Sequence, residues 1–315
     1  MRSLPPFAAM VLVAVACNGS STGRPARPGS GNAPQDVPME RPKGSLDLAE
    51  AQRYVLTLVN RDRDKHGLPP VTWDETAAKA GQRHAEDMAK HGFTAHIGSD
   101  TSVPEQRYTS SGGTAMVMEN VGCVADGEPR EVADNAKFSP ESLERVQRAF
   151  MDEVPPHDGH KRNILTAWHT SLGVGLAQPK GFDIACMAQE FVDDYGEYDD
   201  LPKKAKVGSK IKVSGSLRSP AVIAGGGVAR ADKRKPRKPK ELNKTGGYPI
   251  PKPHVTYFTR GYKTPIPVDV TGNEFKIEFP LSDDGRPGMY EVSVWAKLPQ
   301  SKELLMVSLR TIDVE

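Results

Sequence analysis

The chain has 315 residues, with 42 Lys+Arg against 40 Asp+Glu and a formal net charge of +2. A charge so close to balance gives no global field that would select nucleic acid or an acidic surface. The length leaves room for about two domains.

Arg2 places one positive charge near the start, and Phe7 to Ala16 is an unbroken apolar run. Ten residues suit the core of a signal peptide and are too short to span a bilayer as a helix, which needs about 20. The run closes on Ala14 and Ala16, just before Cys17. This ending resembles the bacterial lipobox, although Ala14 stands where leucine is usual. The resemblance implies removal of residues 1–16, lipidation of Cys17 and anchoring of an exported protein to a membrane; ordinary cleavage of a secretory signal nearby is the alternative. Residues 17–45 are rich in Gly, Ser and Pro, and read as a tether that cannot bury enough surface to offset its ordering entropy. Cys123 and Cys186 remain as a disulfide pair, which export permits. Two buried thiols are the alternative.

The first helix is expected from Leu46 to His66, where Leu48, Ala51, Val55, Leu58 and Val59 recur at helical spacing before Gly67 and Pro69-Pro70. Asp74 caps a second helix whose narrow face is Ala77, Ala78, Gly81, Ala85 and Met88, and Gly92 ends it. A strand is expected over Met116–Val124. Ser139 as N-cap, Pro140 at N1 and a Phe138/Leu143 staple open a third helix, which Pro155-Pro156 stops. A short helical turn follows Gly159 and carries His160 to Leu165. Strands are expected at Leu172–Ala177 and Phe182–Phe191. Helices mixed with short, closely connected strands point to an α+β domain with a largely antiparallel sheet.

The composition changes near Asp193, and Pro202-Lys203-Lys204 reads as a linker. Beyond it, short runs alternate in polarity: Ile211 and Val213, then Phe275 to Leu281, Tyr290 to Ala296 and Leu305 to Leu309. They suggest an all-β immunoglobulin-like sandwich over residues 203–315. Residues 230–244 carry eight basic against two acidic residues. That segment reads as an extended, solvated loop, with contact to an anionic polymer such as lipid head groups or acidic glycan as the alternative, and its lack of aromatics argues against a nucleic-acid platform.

Seven of the eight histidines lie between His66 and His169, which points to the first domain as the functional one. His66, His84, His91 and His169 read as structural. His96, Glu119, Glu153 and His160 differ, because Glu119 lies among apolar strand residues and needs a cation or a donor there. There is no His-Glu-x-x-His and no phosphate loop. Gly19 to Gly23 matches the nucleophile-elbow pattern by letter only, inside the tether.

The order His96, Glu119-Asn120, a helix, then Gly159-His160-Lys161-Arg162-Asn163-Ile164-Leu165 resembles the CAP superfamily, closest to its bacterial, SCP-like branch. Leu58-Val59-Asn60, His66-Gly67-Leu68-Pro69, Gly173-Val174-Gly175 and Gln189-Glu190-Phe191 extend the likeness over residues 46–192. The resemblance implies a three-layer α-β-α sandwich over residues 46–197, with a ligand cleft lined by His96, Glu119, Glu153 and His160. It also implies that His96 and His160 can hold a divalent metal, often zinc. Glu153 is the least secure match, with Asp152 or His157 as alternatives at that position, and Pro155-Pro156-His157-Asp158 departs from the usual Ser-Pro-Gly-His. Two imidazoles fall short of the three protein ligands of a catalytic zinc site. The leading expectation is an exported lipoprotein that binds a lipid or cell-wall-derived ligand. One alternative is a metal-dependent hydrolase of peptides or esters with Glu119 as base. The other is a non-catalytic structural module.

Overall fold

The computed structural model describes residues 40–299 and 301–315. The expected signal segment, Cys17 and most of the tether lie outside the described residues. Within the expected tether, Arg41 pairs with Glu144 at 2.5 Å, and just after it Leu46 bridges to Phe138.

In the first part of the chain α1 is Leu48–Lys65, β1 Thr72–Trp73, α2 Glu75–His91, α3 Pro104–Ser110 and β2 Met116–Gly122. They are followed by α4 Pro140–Met151, α5 Gly159–Ile164, β3 Ser171–Ala177 and β4 Cys186–Asp193. Asp47 and Glu50 close a capping box on α1, and Asp74 and Ser139 cap α2 and α4 through their side chains. Each satisfies a backbone N–H that the first helical turn leaves unpaired. The strands order β1-β3-β4-β2, parallel only between β1 and β3.

Alternation along the strands assigns each sheet face a partner. Leu172, Val174, Met187 and Phe191 pack with Val55, Leu58, Leu143 and Phe150 of α1 and α4. On the other face, Val117, Val121, Ala188 and Val192 meet the small residues of α2. Helices therefore cover both faces. A Cβ on Gly173 would come within 2.0 Å of Ala78 N, and one on Gly175 within 2.1 Å of the Gly81 carbonyl carbon. Only glycine permits so close an approach of α2 to the sheet. Cys123 and Cys186 form the disulfide, just beyond the last β2–β4 pair.

Two differences from expectation stand out here. β4 begins at Cys186, not Phe182, and Phe182 is exposed under the guanidinium of Arg130. α3 and β1 were not anticipated at all.

The second part holds β5 Gly196–Tyr198, β6 Lys204–Ala205, β7 Lys210–Leu217, β8 Val222–Ala231, α6 Pro239–Leu242, β9 Val255–Phe258 and β10 Asp269–Thr271. It ends with β11 Glu274–Pro280, β12 Gly288–Lys297 and β13 Leu305–Val314. They make two sheets, β10-β11-β7-β5 and β6-β13-β12-β8-β9, that share one apolar core. Since β5 pairs with β7, this part starts before the expected linker.

The basic segment is not a free loop. Arg230 bonds Asp283 and Asp232, Lys233 reaches Asp313, and Lys240 pairs with Glu128. Leu242 of α6 is buried among Phe93, Cys123 and Ala177, while the Asn243 carboxamide accepts from Thr94 N and donates to Gly92 O. The segment straps the second part onto the loop after α2. Prolines and lysines hid this, because the docking needs only one apolar anchor.

Candidate functional site

β2 presents Glu119 toward α2 and Asn120 toward α4, and its register pairs Glu119 with Glu190 and Asn120 with Gln189. Two polar groups form, one on each face.

On the α2 face, Glu119 Oε1 accepts from His96 Nδ1 at 2.8 Å and Oε2 from Arg107 Nη2 at 2.6 Å. Arg107, from α3, also donates to His96 O and to Ser102 O. His84 Nε2 lies 2.8 Å from Ala95 O and 3.8 Å from Glu119 Oε1. All five side chains, Glu190 included, are within 1% of full burial. Burial alone would raise the Glu119 carboxyl, but Arg107, His84 and His96 outweigh it and hold it well below the usual carboxylate range. Glu190 goes the other way, pushed well above that range by burial and by the charge on Glu119. No N–H or hydroxyl reaches the Glu190 oxygens. A neutral Glu190 carries its own proton and can donate it to Glu119. Burial, then Arg107, lowers His84 to about 4. The cluster thus holds one carboxylate, one guanidinium, one neutral acid and one neutral imidazole beside His96. Burying charge is tolerable in this form because it is matched and hydrogen-bonded.

On the α4 face, His160 Nδ1 lies 2.6 Å from Glu153 Oε1, and the His160 backbone N–H donates to Glu153 Oε2 at 2.9 Å. The ring packs 4.4 Å from Phe150. Asn120 donates to His160 O, and Asn163 donates to Asn120. Gln189, Gln147 and Asp62 continue this network, and His169 joins Asn163 to Asp193. His160 Nε2 is buried and has no partner.

The four residues expected in one cleft therefore form two couples, His96–Glu119 and His160–Glu153. Glu153, the least secure match in the sequence, is the partner of His160. His169 links Asn163 to Asp193. His84, read as structural, belongs to the charged cluster. Arg107 and Glu190 were missed as site residues. Arg107 sits on a seven-residue helix with no apolar periodicity to reveal it. Glu190 had a signal, since a second glutamate inside a fully buried strand needs a partner as Glu119 does.

Each imidazole is oriented through Nδ1 by its own carboxylate, as second-shell carboxylates orient metal-bound histidines. Among the described residues no group of three or more His, Cys, Asp or Glu is placed to hold an ion. A catalytic zinc needs three protein ligands, so these residues do not fit one.

Residues 56–188 match the family model described as CAP, the cysteine-rich secretory protein family. The uncharacterized protein YkwD of Bacillus subtilis (strain 168) is 26% identical over 127 residues, 40% of this chain and 42% of that protein. The uncharacterized membrane protein YlbC of the same organism is 25% identical over 126 residues, 40% of this chain and 31% of that one. The chain thus matches less than half the length of either relative. A crystal structure of an extracellular protein containing an SCP domain, from Bacillus anthracis str. Ames, aligns at 21% identity and a TM-score of 0.35, over 48% of this chain and 45% of that one. The chain carries, over residues 56–188, a domain of the CAP cysteine-rich secretory protein family.

Proposed function

We propose that the protein is an exported binding module, not an enzyme, whose CAP domain holds a polar, cell-wall-derived ligand at the His160–Glu153 couple. The observation that carries this reading is the buried, unpartnered Nε2 of His160, opposite a nitrogen fixed by Glu153. In the neutral ring, with Nδ1–H directed at the carboxylate, Nε2 presents a lone pair. Leaving such an atom without a donor is costly, and a hydroxyl or amide would satisfy it where an acyl chain would not. Of the two ligand classes expected from the sequence, this favours the cell-wall-derived one over lipid.

The hydrolase alternative loses its base. Both oxygens of Glu119 are occupied, and its carboxyl is held below the usual range. A good general base has a pKa near the working pH.

The Cys123–Cys186 disulfide supports an oxidising compartment, as the leader and Cys17 anticipate. We read the C-terminal pair of sheets as immunoglobulin-like, serving to seat and orient the CAP domain.

Calorimetry with soluble cell-wall fragments tests the proposal. Binding by wild type and its loss in His160→Ala are expected, with a ligand-dependent rise in stability. Absence of binding by the wild type, or binding unchanged in the variant, would overturn it.

A further inference from the structure

A second, separate place in the molecule asks for a ligand. Between α2 and residues 98–102 lies a cavity of about 110 Å³, lined by Arg83, His84, Asp87, Asp100, Ser102 and Arg107. On liquid-water volumes of about 30 Å³ each, it has room for about three waters, or the end of a small organic molecule. Two of its lining residues carry orphaned polar atoms, Nδ1 of His84 and Nε of Arg107, and both side chains are 1% exposed. Their characters are fixed by what surrounds them. His84 Nε2 faces the Ala95 carbonyl, so it carries the hydrogen, and in the neutral ring Nδ1 is an acceptor. Arg107 Nε–H is a donor, while the rest of the guanidinium is engaged by Glu119, His96 O and Ser102.

We propose that this cavity is a subsite for a hydroxyl group of an uncharged sugar or polyol, which accepts from Arg107 Nε and donates to His84 Nδ1. A hydroxyl is the small group that does both at once. An anion would meet the carboxyl groups of Asp87 and Asp100, and a cation would meet the guanidinium groups of Arg83 and Arg107. Ser102 and Asp100 lie at hand for a neighbouring hydroxyl. The loop is built to hold this shape: Asp87 accepts from Ser99 N, Asp100 accepts from Ser102 N, and Gly98 N donates to Ser102 O. A Cβ on Gly98 would fall 2.7 Å from Asp100 and 2.9 Å from Ser102 Oγ, so the loop's close turn leaves no room for a side chain there. The site is on the α2 face and uses neither His160 nor Glu153, so it stands apart from the proposed function.

The test is a ¹⁵N NMR titration of the full chain with glycerol, glucose and N-acetylglucosamine, each to tens of millimolar. At least one probe is expected to shift the amides of residues 98–102 and the His84 side-chain nitrogens saturably. Ser102→Leu, which fills the cavity, abolishes this, and Arg107→Lys, which keeps the charge but removes the Nε–H, weakens it at least tenfold. His160→Ala and chelator leave it unchanged. No saturable shift with any probe overturns the proposal, as does equal affinity in Ser102→Leu. Should neither variant fold, a crystal soaked in the binding probe decides. Density for its hydroxyl between the two atoms supports the site, and density for water alone overturns it.

Discussion

Glu291 offers the most quantitative test of the energetics. It lies on the outer face of β12, opposite the inward Tyr290 and Val292, and is 1% exposed, with Glu105 of α3 beside it. Its partner there is Glu105, whose Oε1 accepts from Tyr248 OH at 2.5 Å. The Arg234 guanidinium lies over the Tyr248 ring, 5.4 Å from its centroid. Burial, then the charge on Glu105, pushes Glu291 up to about 9, and burial pushes Glu105 up as well. An acid whose folded pKa is raised stabilises most below its unfolded value and loses that contribution as pH rises toward the folded one. From the model value of 4.5 to pH 7 the gap is about 2.5 pKa units, or about 3 kcal/mol at 1.36 kcal/mol per unit. Glu291→Gln keeps the shape and removes the ionisation. Urea denaturation of both proteins at pH 5, 7 and 9 should find the variant more stable by about 2–3 kcal/mol at pH 7, with a flatter profile between pH 5 and 9. Parallel profiles, or a variant less stable at pH 9, would refute the neutral-acid reading of the junction.

Arg107→Met should destabilise by about 3–5 kcal/mol, since it strands a buried carboxylate. Adding Glu119→Gln should recover much of that in a double-mutant cycle followed by thermal melting. Because the Glu119 carboxyl is held low, its contribution is present above about pH 4.5 and fades below, so the Arg107→Met penalty should shrink as the medium is acidified. Replacing both Cys123 and Cys186 by serine, which opens a link between residues 63 apart, should cost about 4 kcal/mol by denaturant titration. Gly175→Ala should cost about 1–3 kcal/mol or more, seen as a lower denaturation midpoint, because its Cβ would strike the α2 backbone.

Much of this molecule is legible where local chemistry decides. The caps at Asp74 and Ser139, the stop at Gly92 and the alternation of Phe275, Ile277 and Phe279 are all present as expected. Glu119 and the two histidines could be singled out because a carboxylate in a buried strand must find a partner. What escaped was decided by contacts distant in sequence. α3 is too short to show a period, yet it delivers Arg107. Glu291 reads as a solvent-facing residue in an alternating strand until the CAP domain covers that face. The separation of the four site residues into two couples follows from Glu119 and Asn120 pointing to opposite sides of one strand, which a family pattern in linear order does not convey.

The strap around Leu242 and Asn243 has a practical consequence for anyone dividing this chain. The family match ends at residue 188, but the surface formed by Phe93, Thr94, Val103 and Glu105 is finished by residues 242–291. A gene fragment cut at the family boundary would expose a greasy, acid-bearing scar and should express as an aggregating product. Crystallisation or binding work should keep the two parts together, as one body that should melt in one transition.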